Sequence, residues 1–218
     1  MKILLFGATG MVGQGVLREC LRDPAISEVV SIGRSPAPLS HAKLRSIVHR
    51  DLTDLTPLDA DMSGAGACFF CLGVSSAGMT ESRYSRITYD VTMAAAYALV
   101  RLNPGMVFVY ISGMGADSSE KGGTMWARVK GRTENALLKL PLRAFIFRPG
   151  LIRPLHGIRS RTALYRILYA LLGPVLSLLQ RGLPGSLTTT EQIGKAMIRV
   201  ARDGYEKQVL ETADINSL

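Results

Sequence analysis

Three glycines, Gly7, Gly10 and Gly13, set between an apolar run and an apolar-periodic segment, constrain this chain more than any other stretch. Lys2-Ile-Leu-Leu-Phe6 has the composition of a short buried strand, and Val12, Val16, Leu17, Cys20 and Leu21 follow at helical spacing. The reading is strand, tight turn, helix. In such a unit one glycine makes the turn, one lets backbone approach a pyrophosphate, and one lets the helix pack closely on the strand, while free N–H groups at the helix start face the anion. The spacing G-x-x-G-x-x-G departs from the G-x-G-x-x-G fingerprint, but its place after an N-terminal strand and at the head of a helix is that of a nucleotide-binding turn. The candidate contacts there are Gly7, Thr9, Gly10, Met11, Val12 and Gly13.

Further strands and helices alternate along the chain. Glu28–Ile32, Ser46–Arg50, Ala65–Leu72, Met106–Ile111 and Arg143–Phe147 read as strands, with helices expected from about Glu81 to Leu102 and from Thr124 to Leu140. The strand through Cys68-Phe-Phe-Cys71 is apolar on both faces, as in a parallel sheet covered by helices. The alternation predicts an α/β fold, a doubly wound parallel sheet with right-handed connections, over residues 1–150. Beyond Gly150 the pattern changes, and residues 151–218 are expected to form a small C-terminal helical lobe packed on the first part. Leu164, Ile167, Leu168, Leu171, Leu172, Val175, Leu176 and Leu179 make one apolar helical face, broken at Gly173-Pro174. Thr188-Thr-Thr-Glu191 caps a further helix through Arg202, and Lys207–Leu210 reads as a final strand.

The second strand ends in Gly33-Arg34-Ser35. In dinucleotide-binding folds an acid about 20 residues beyond the glycine turn bonds the ribose 2′-OH, whereas an arginine accommodates a 2′-phosphate. Arg34 holds that place, and no acid occurs from Val29 to Arg50, so NADP is expected over NAD.

Composition excludes several classes. At 218 residues, 47% hydrophobic and 20% charged, the chain has the makings of a packed core and not of a disordered tail. The longest apolar run, Ala163 to Leu179, is interrupted by Arg166, Gly173 and Pro174 and falls short of a spanning helix of about 20 residues. Only Lys2 stands between Met1 and the first strand's apolar run, so no signal peptide is read, and the expected location is cytoplasmic. Cys20, Cys68 and Cys71 fit a reducing compartment; Cys68 and Cys71 stand three apart in a strand and face opposite ways, so neither a redox pair nor a metal site is read there. The net charge of +9 is uneven: no carboxylate side chain lies between Glu134 and Glu191, where Lys139, Arg143, Arg148, Arg153, Arg159, Arg161, Arg166 and Arg181 fall. An apolar wall with a cationic rim suits an amphipathic or anionic small molecule, or contact with an anionic membrane surface. No reading helix or stacking motif accompanies the charge, so no specific nucleic-acid partner is expected.

The glycine spacing, together with Ile111-Ser-Gly-Met-Gly-Ala-Asp117, Val129-Lys-Gly131 and Phe147-Arg-Pro-Gly150, resembles the short-chain dehydrogenase/reductase superfamily, in its extended and atypical epimerase-like members, and is similar to the small branch of Tat-interacting-protein-like reductases. The resemblance covers residues 1 to about 155. It implies a Rossmann-type fold binding NAD(P), with Asp51 and Leu52 bordering the adenine, Leu72 and Gly73 beside the cofactor where the fourth strand ends, and Pro149 at the end of the sixth. It also implies that the segment beyond residue 150 is a substrate lobe. The superfamily's serine is matched by Ser112 and its cofactor-holding lysine by Lys130. Its catalytic tyrosine, four positions before the lysine, is replaced by Trp126, and Cys71-Leu72-Gly73 replaces the common Asn-Ala-Gly. An indole has an N–H donor but no titratable proton near neutrality. The nearby phenols are Tyr84, Tyr89 and Tyr110. The expected function is an NADP(H)-binding oxidoreductase or epimerase-like protein with a rearranged acid/base; the alternative is a non-catalytic NADP(H)-sensing scaffold that engages a partner.

Overall fold

The computed structural model describes residues 1–158 and 186–218. Strands β1 (Lys2–Phe6), β2 (Glu28–Gly33), β3 (Leu44–Val48), β4 (Ala67–Phe70), β5 (Val107–Ile111), β6 (Arg143–Arg148) and β9 (Val209–Glu211) form one parallel sheet in the order β3-β2-β1-β4-β5-β6-β9. Apolar composition explains the sheet's centre: β4 and β5 are buried throughout, and the rings of Phe6, Phe70 and Phe108 stack across three adjacent strands with centroids 5.2 and 5.8 Å apart. The strand order reverses between β1 and β4, which opens a crevice at their carboxyl ends.

Helices cover both faces. On one side α1 (Met11–Arg22) and α6 (Thr190–Asp203) bury Val16, Leu17, Cys20, Ile193 and Met197 against Ile3, Leu5 and Phe69. On the other, α4 (Val91–Leu102) and α5 (Met125–Leu138) bury Ala95, Leu99 and Leu137 against Leu4, Phe70 and Phe108. Cys68 belongs to this second core and Cys71 packs on the first, so the two thiols do lie on opposite faces. Short helices α2 (Asp59–Met62) and α3 (Glu81–Ser85) precede α4, and a π-helical turn, Arg86–Asp90, joins α3 to it.

The described residues after Gly150 join the first part at several places. α6 docks on α1, β9 extends the sheet beside β6, and α7 (Thr212–Ser217) follows under a Glu211–Asp214 capping box. A two-stranded parallel ribbon, β7 (Leu151–Arg153) and β8 (Leu187–Thr189), ties the segment to the end of β6. The leucine-rich helices expected over 159–180, and with them the apolar wall and Arg159, Arg161, Arg166 and Arg181 of its cationic rim, lie outside the described residues. Among the described residues no helix is long and apolar enough to cross a membrane, and no cluster of His, Cys, Asp and Glu forms a metal site.

Candidate functional site

The crevice begins at the glycine turn. Gly7 adopts φ +83°, a conformation glycine takes without strain. A Cβ on it would stand 2.6 Å from the Leu72 nitrogen, so turn and β4 exit meet backbone to backbone. A Cβ on Gly13 would overlap the Gly7 carbonyl, which is why α1 can start so close to β1. Gly10 N donates to Gly7 O at 2.9 Å, and the first bond of α1 runs from Gln14 N to Gly10 O. Gly10 offers no side-chain cap, so the amides of Met11, Val12 and Gly13 have no partner within the helix. Thr9 lies alongside, its carbonyl accepting from Gln14 Nε2 at 3.2 Å. Leu72 is half-buried, and Gly73 opens onto free space within 4 Å of where a Cβ would sit.

At the next two strand ends the register pairs Gly33 with Val48, and His49 N donates to Gly33 O at 2.9 Å. This brings Arg34 and Arg50 out of neighbouring strands, both exposed and neither in an ion pair among the described residues. Arg50 was not nominated from the sequence; nothing local distinguishes it, and it follows β3, the strand paired with the one that leads into Arg34. Asp51 is exposed and accepts from Thr53 N at 2.9 Å and Thr53 Oγ1 at 2.6 Å, bonds that hold its carboxyl below the usual range. Leu52 is buried against the second core.

The other end of the crevice is formed by β5, β6 and α5. Lys130 directs its amine to the carbonyls of Ile111 at 3.2 Å and Ser112 at 3.1 Å, and lies 5.2 Å from the centroid of the Tyr110 ring. Burial lowers its pKa to about 8, against an opposing pull from Glu134. Trp126, one turn earlier, is half-buried; its Cη2 stands 3.6 Å from where a Cβ on Gly115 would be. Ser112 does not offer its hydroxyl proton to the crevice: Oγ donates to the carboxylate of Glu134, which is only 1% exposed. Arg148 closes on the same carboxylate, Nε donating to both oxygens at 3.1 Å, and reaches Ser118 Oγ at 2.6 Å and Glu211 at 3.4 Å. Sequence reasoning missed this network; the Lys130–Glu134 spacing of one helical turn was its only local trace. Pro149 is buried and its carbonyl accepts from Met114 N at 3.0 Å.

None of the three phenols is exposed. Tyr84 and Tyr110 are 2% and 1% exposed, with burial raising both pKa values, and Tyr89 lies 4.2 Å beneath the Arg132 guanidinium.

A parallel sheet of this order, with a glycine turn at its reversal and helices on both faces, is a Rossmann-type α/β fold. The chain belongs to the Fmp52 family: it is 32% identical over 224 residues to protein fmp52, mitochondrial, of Emericella nidulans, with 95% of this chain and 90% of that protein covered. The Eremothecium gossypii protein of the same name is 27% identical, covering 100% of this chain and 97% of its own. No family model matches the chain. Among solved structures it is similar to a UDP-N-acetylglucosamine 4-epimerase from Methanobrevibacter ruminantium (TM-score 0.71, 14% identity, 95% of this chain and 74% of that one). It is also similar to MoeE5 in complex with UDP-glucose and NAD (0.68, 18%, 100% and 80%), and to a short chain dehydrogenase family protein from Francisella tularensis (0.65, 16%, 93% and 91%). These likenesses are of fold. The expected cytoplasmic location does not stand, because the relatives are named as mitochondrial proteins; what precedes the first strand in this sequence does not fix a compartment.

Proposed function

We propose that this chain binds NADP(H) at the crevice between β1 and β4, in an oxidoreductase or epimerase-like site whose usual acid/base pair has been replaced. The amides of Met11, Val12 and Gly13 would receive the pyrophosphate, Arg34 with Arg50 the 2′-phosphate, Leu52 and Asp51 the adenine edge, and Lys130 the nicotinamide ribose. The residues present fit such a guest: Gly10 puts no side-chain cap over the helix start, and an exposed cation, Arg34, stands where an NAD site would carry an acid. When bound, the nicotinamide would supply or accept hydride.

The observation that carries the reading is the state of the two side chains that would handle the proton. Position 126 is an indole, and the Ser112 hydroxyl proton is committed to Glu134. General acid–base catalysis contributes about 10²–10⁴-fold in rate, so tight cofactor binding with slow turnover of generic carbonyl compounds is expected. The scaffold alternative shares this binding and differs in having no turnover at all.

Titration of wild type with NADPH and NADH tests the cofactor assignment. NADPH should bind tighter, and Arg34→Asp should weaken NADPH by about 10- to 100-fold, the loss of one charge-assisted hydrogen bond to the phosphate, and invert the preference. Equal or tighter NADH binding by wild type would overturn it. Oxidation of bound NADPH by a panel of carbonyl compounds separates the slow enzyme from the scaffold.

A further inference from the structure

We infer that proton binding and cofactor binding are linked at Lys130, so that the crevice holds NADP(H) tightly while this amine is charged and loosens it as the amine gives up its proton. The inference rests on the cofactor reading above and adds its regulation. Its geometric basis is a half-buried amine that is in no ion pair among the described residues. Two of the three N–H groups of the charged amine meet neutral acceptors, the carbonyls of Ile111 at 3.2 Å and Ser112 at 3.1 Å, which leaves one for the proposed ribose contact. The carboxylate that pulls on it, that of Glu134 one turn on, is spent elsewhere: it takes the Ser112 hydroxyl and a forked pair from Arg148. Lys195 and Lys207 differ in having a carboxylate each, Glu191 and Asp214. Residues 159–185 cannot supply one to Lys130 either, because no Asp or Glu occurs among them.

Such an amine exchanges hydration for two dipoles, and burial without an opposite charge favours its neutral form. Its pKa falls accordingly to about 8, the pull of Glu134 opposing the burial. The other titratable groups around it hold one state over the same range. Burial raises the phenol of Tyr110, whose ring is 5.2 Å from the amine, and that of Tyr84, which lies within electrostatic reach of Tyr110, while the Glu134 carboxylate raises Arg148. Trp126, one turn before Lys130, has no proton to exchange near neutrality. From a diphosphate and a 2′-phosphate in the crevice the amine would gain the negative field it lacks, which favours its charged form. Proton and cofactor then strengthen each other by the same factor. In the free protein the amine is charged below about pH 8, so affinity is level there; above it each binding event must also take up a proton, and affinity falls as pH rises.

Calorimetric titration with NADPH from about pH 7 to about pH 9, at each pH in two buffers of different ionisation enthalpy, reads affinity and protons taken up together. The cofactor's 2′-phosphate, with a second pKa of about 6, is largely ionised throughout. Wild type should lose about tenfold in affinity across the range and take up about half a proton at about pH 8, against little at about pH 7. Lys130→Arg, charged at every pH used, and Lys130→Met, charged at none, should both show level affinity and no uptake, and far-UV dichroism establishes that each is folded. If one variant does not fold, the other carries the comparison. Level wild-type affinity without uptake, or uptake that persists in a folded variant, would overturn the linkage and leave the cofactor reading standing. No NADPH binding by folded wild type at any pH would overturn the cofactor reading and the linkage with it.

Discussion

Glu134 sits at the centre of the polar chemistry behind the crevice, taking a hydrogen bond from Ser112 and a forked pair from Arg148 with almost no access to water. Removing one partner of a buried ion pair leaves the other charge uncompensated, which costs about 3–5 kcal/mol. Glu134→Ala should therefore lose stability on that scale in urea denaturation, while Glu134→Gln, which keeps an acceptor for Ser112, should lose less. Lys130 gives a pH signature of opposite kind. Its amine titrates at about 8 in the folded chain against an ordinary 10.5, so between those values the unfolded chain binds a proton that the folded one has released. Stability contributed at this position should rise as pH climbs from about 8 towards 10.5, the burial penalty being fully felt below 8. The difference between wild type and Lys130→Met, followed by denaturation across that window, isolates the effect from the phenols.

At the scale of elements, the loop after β5 is held to α5 by close backbone approach. A Cβ on Gly131 would overlap the Asp117 carbonyl and stand 2.9 Å from Ser118 N, while Asp117 N bonds Ala127 O at 3.0 Å and its carboxylate gathers Ser119 and Gly122. Gly131→Ala should push the loop outward, lowering stability by about 1–3 kcal/mol in thermal melts and shifting Trp126 emission, because Gly115 moves with the loop. The strands and the glycine turn were legible because their signals are local: apolar runs of strand length, glycines at a strand–helix junction, a proline and glycine after Leu102. Edges moved by a residue or two, β3 falling at Leu44–Val48 and β4 at Ala67–Phe70. What the residues did not disclose is tertiary. Arg148 reads as a rim charge until it meets Glu134, and the place of the short final strand at the sheet's edge is set only when Leu210 pairs with Phe147. The ribbon of β7 and β8 and the final helix α7 are each too short to leave a periodic trace.

For the whole molecule, the net charge of +9 is less informative than which cations are paired. Arg148, Lys195 and Lys207 are neutralised by Glu134, Glu191 and Asp214, whereas Arg34 and Arg50 are exposed and in no ion pair among the described residues. The cover over the first helix has another consequence, one of timing. α1 leaves the ribosome long before α6, whose Ile193 and Met197 complete the core around Val16, Leu17 and Cys20. Until then the apolar face behind the glycine turn stays wet, and the turn lacks the backing that holds its amides in place. A nascent fragment would carry the glycine turn in full and still lack the distant helix that closes over α1 behind it.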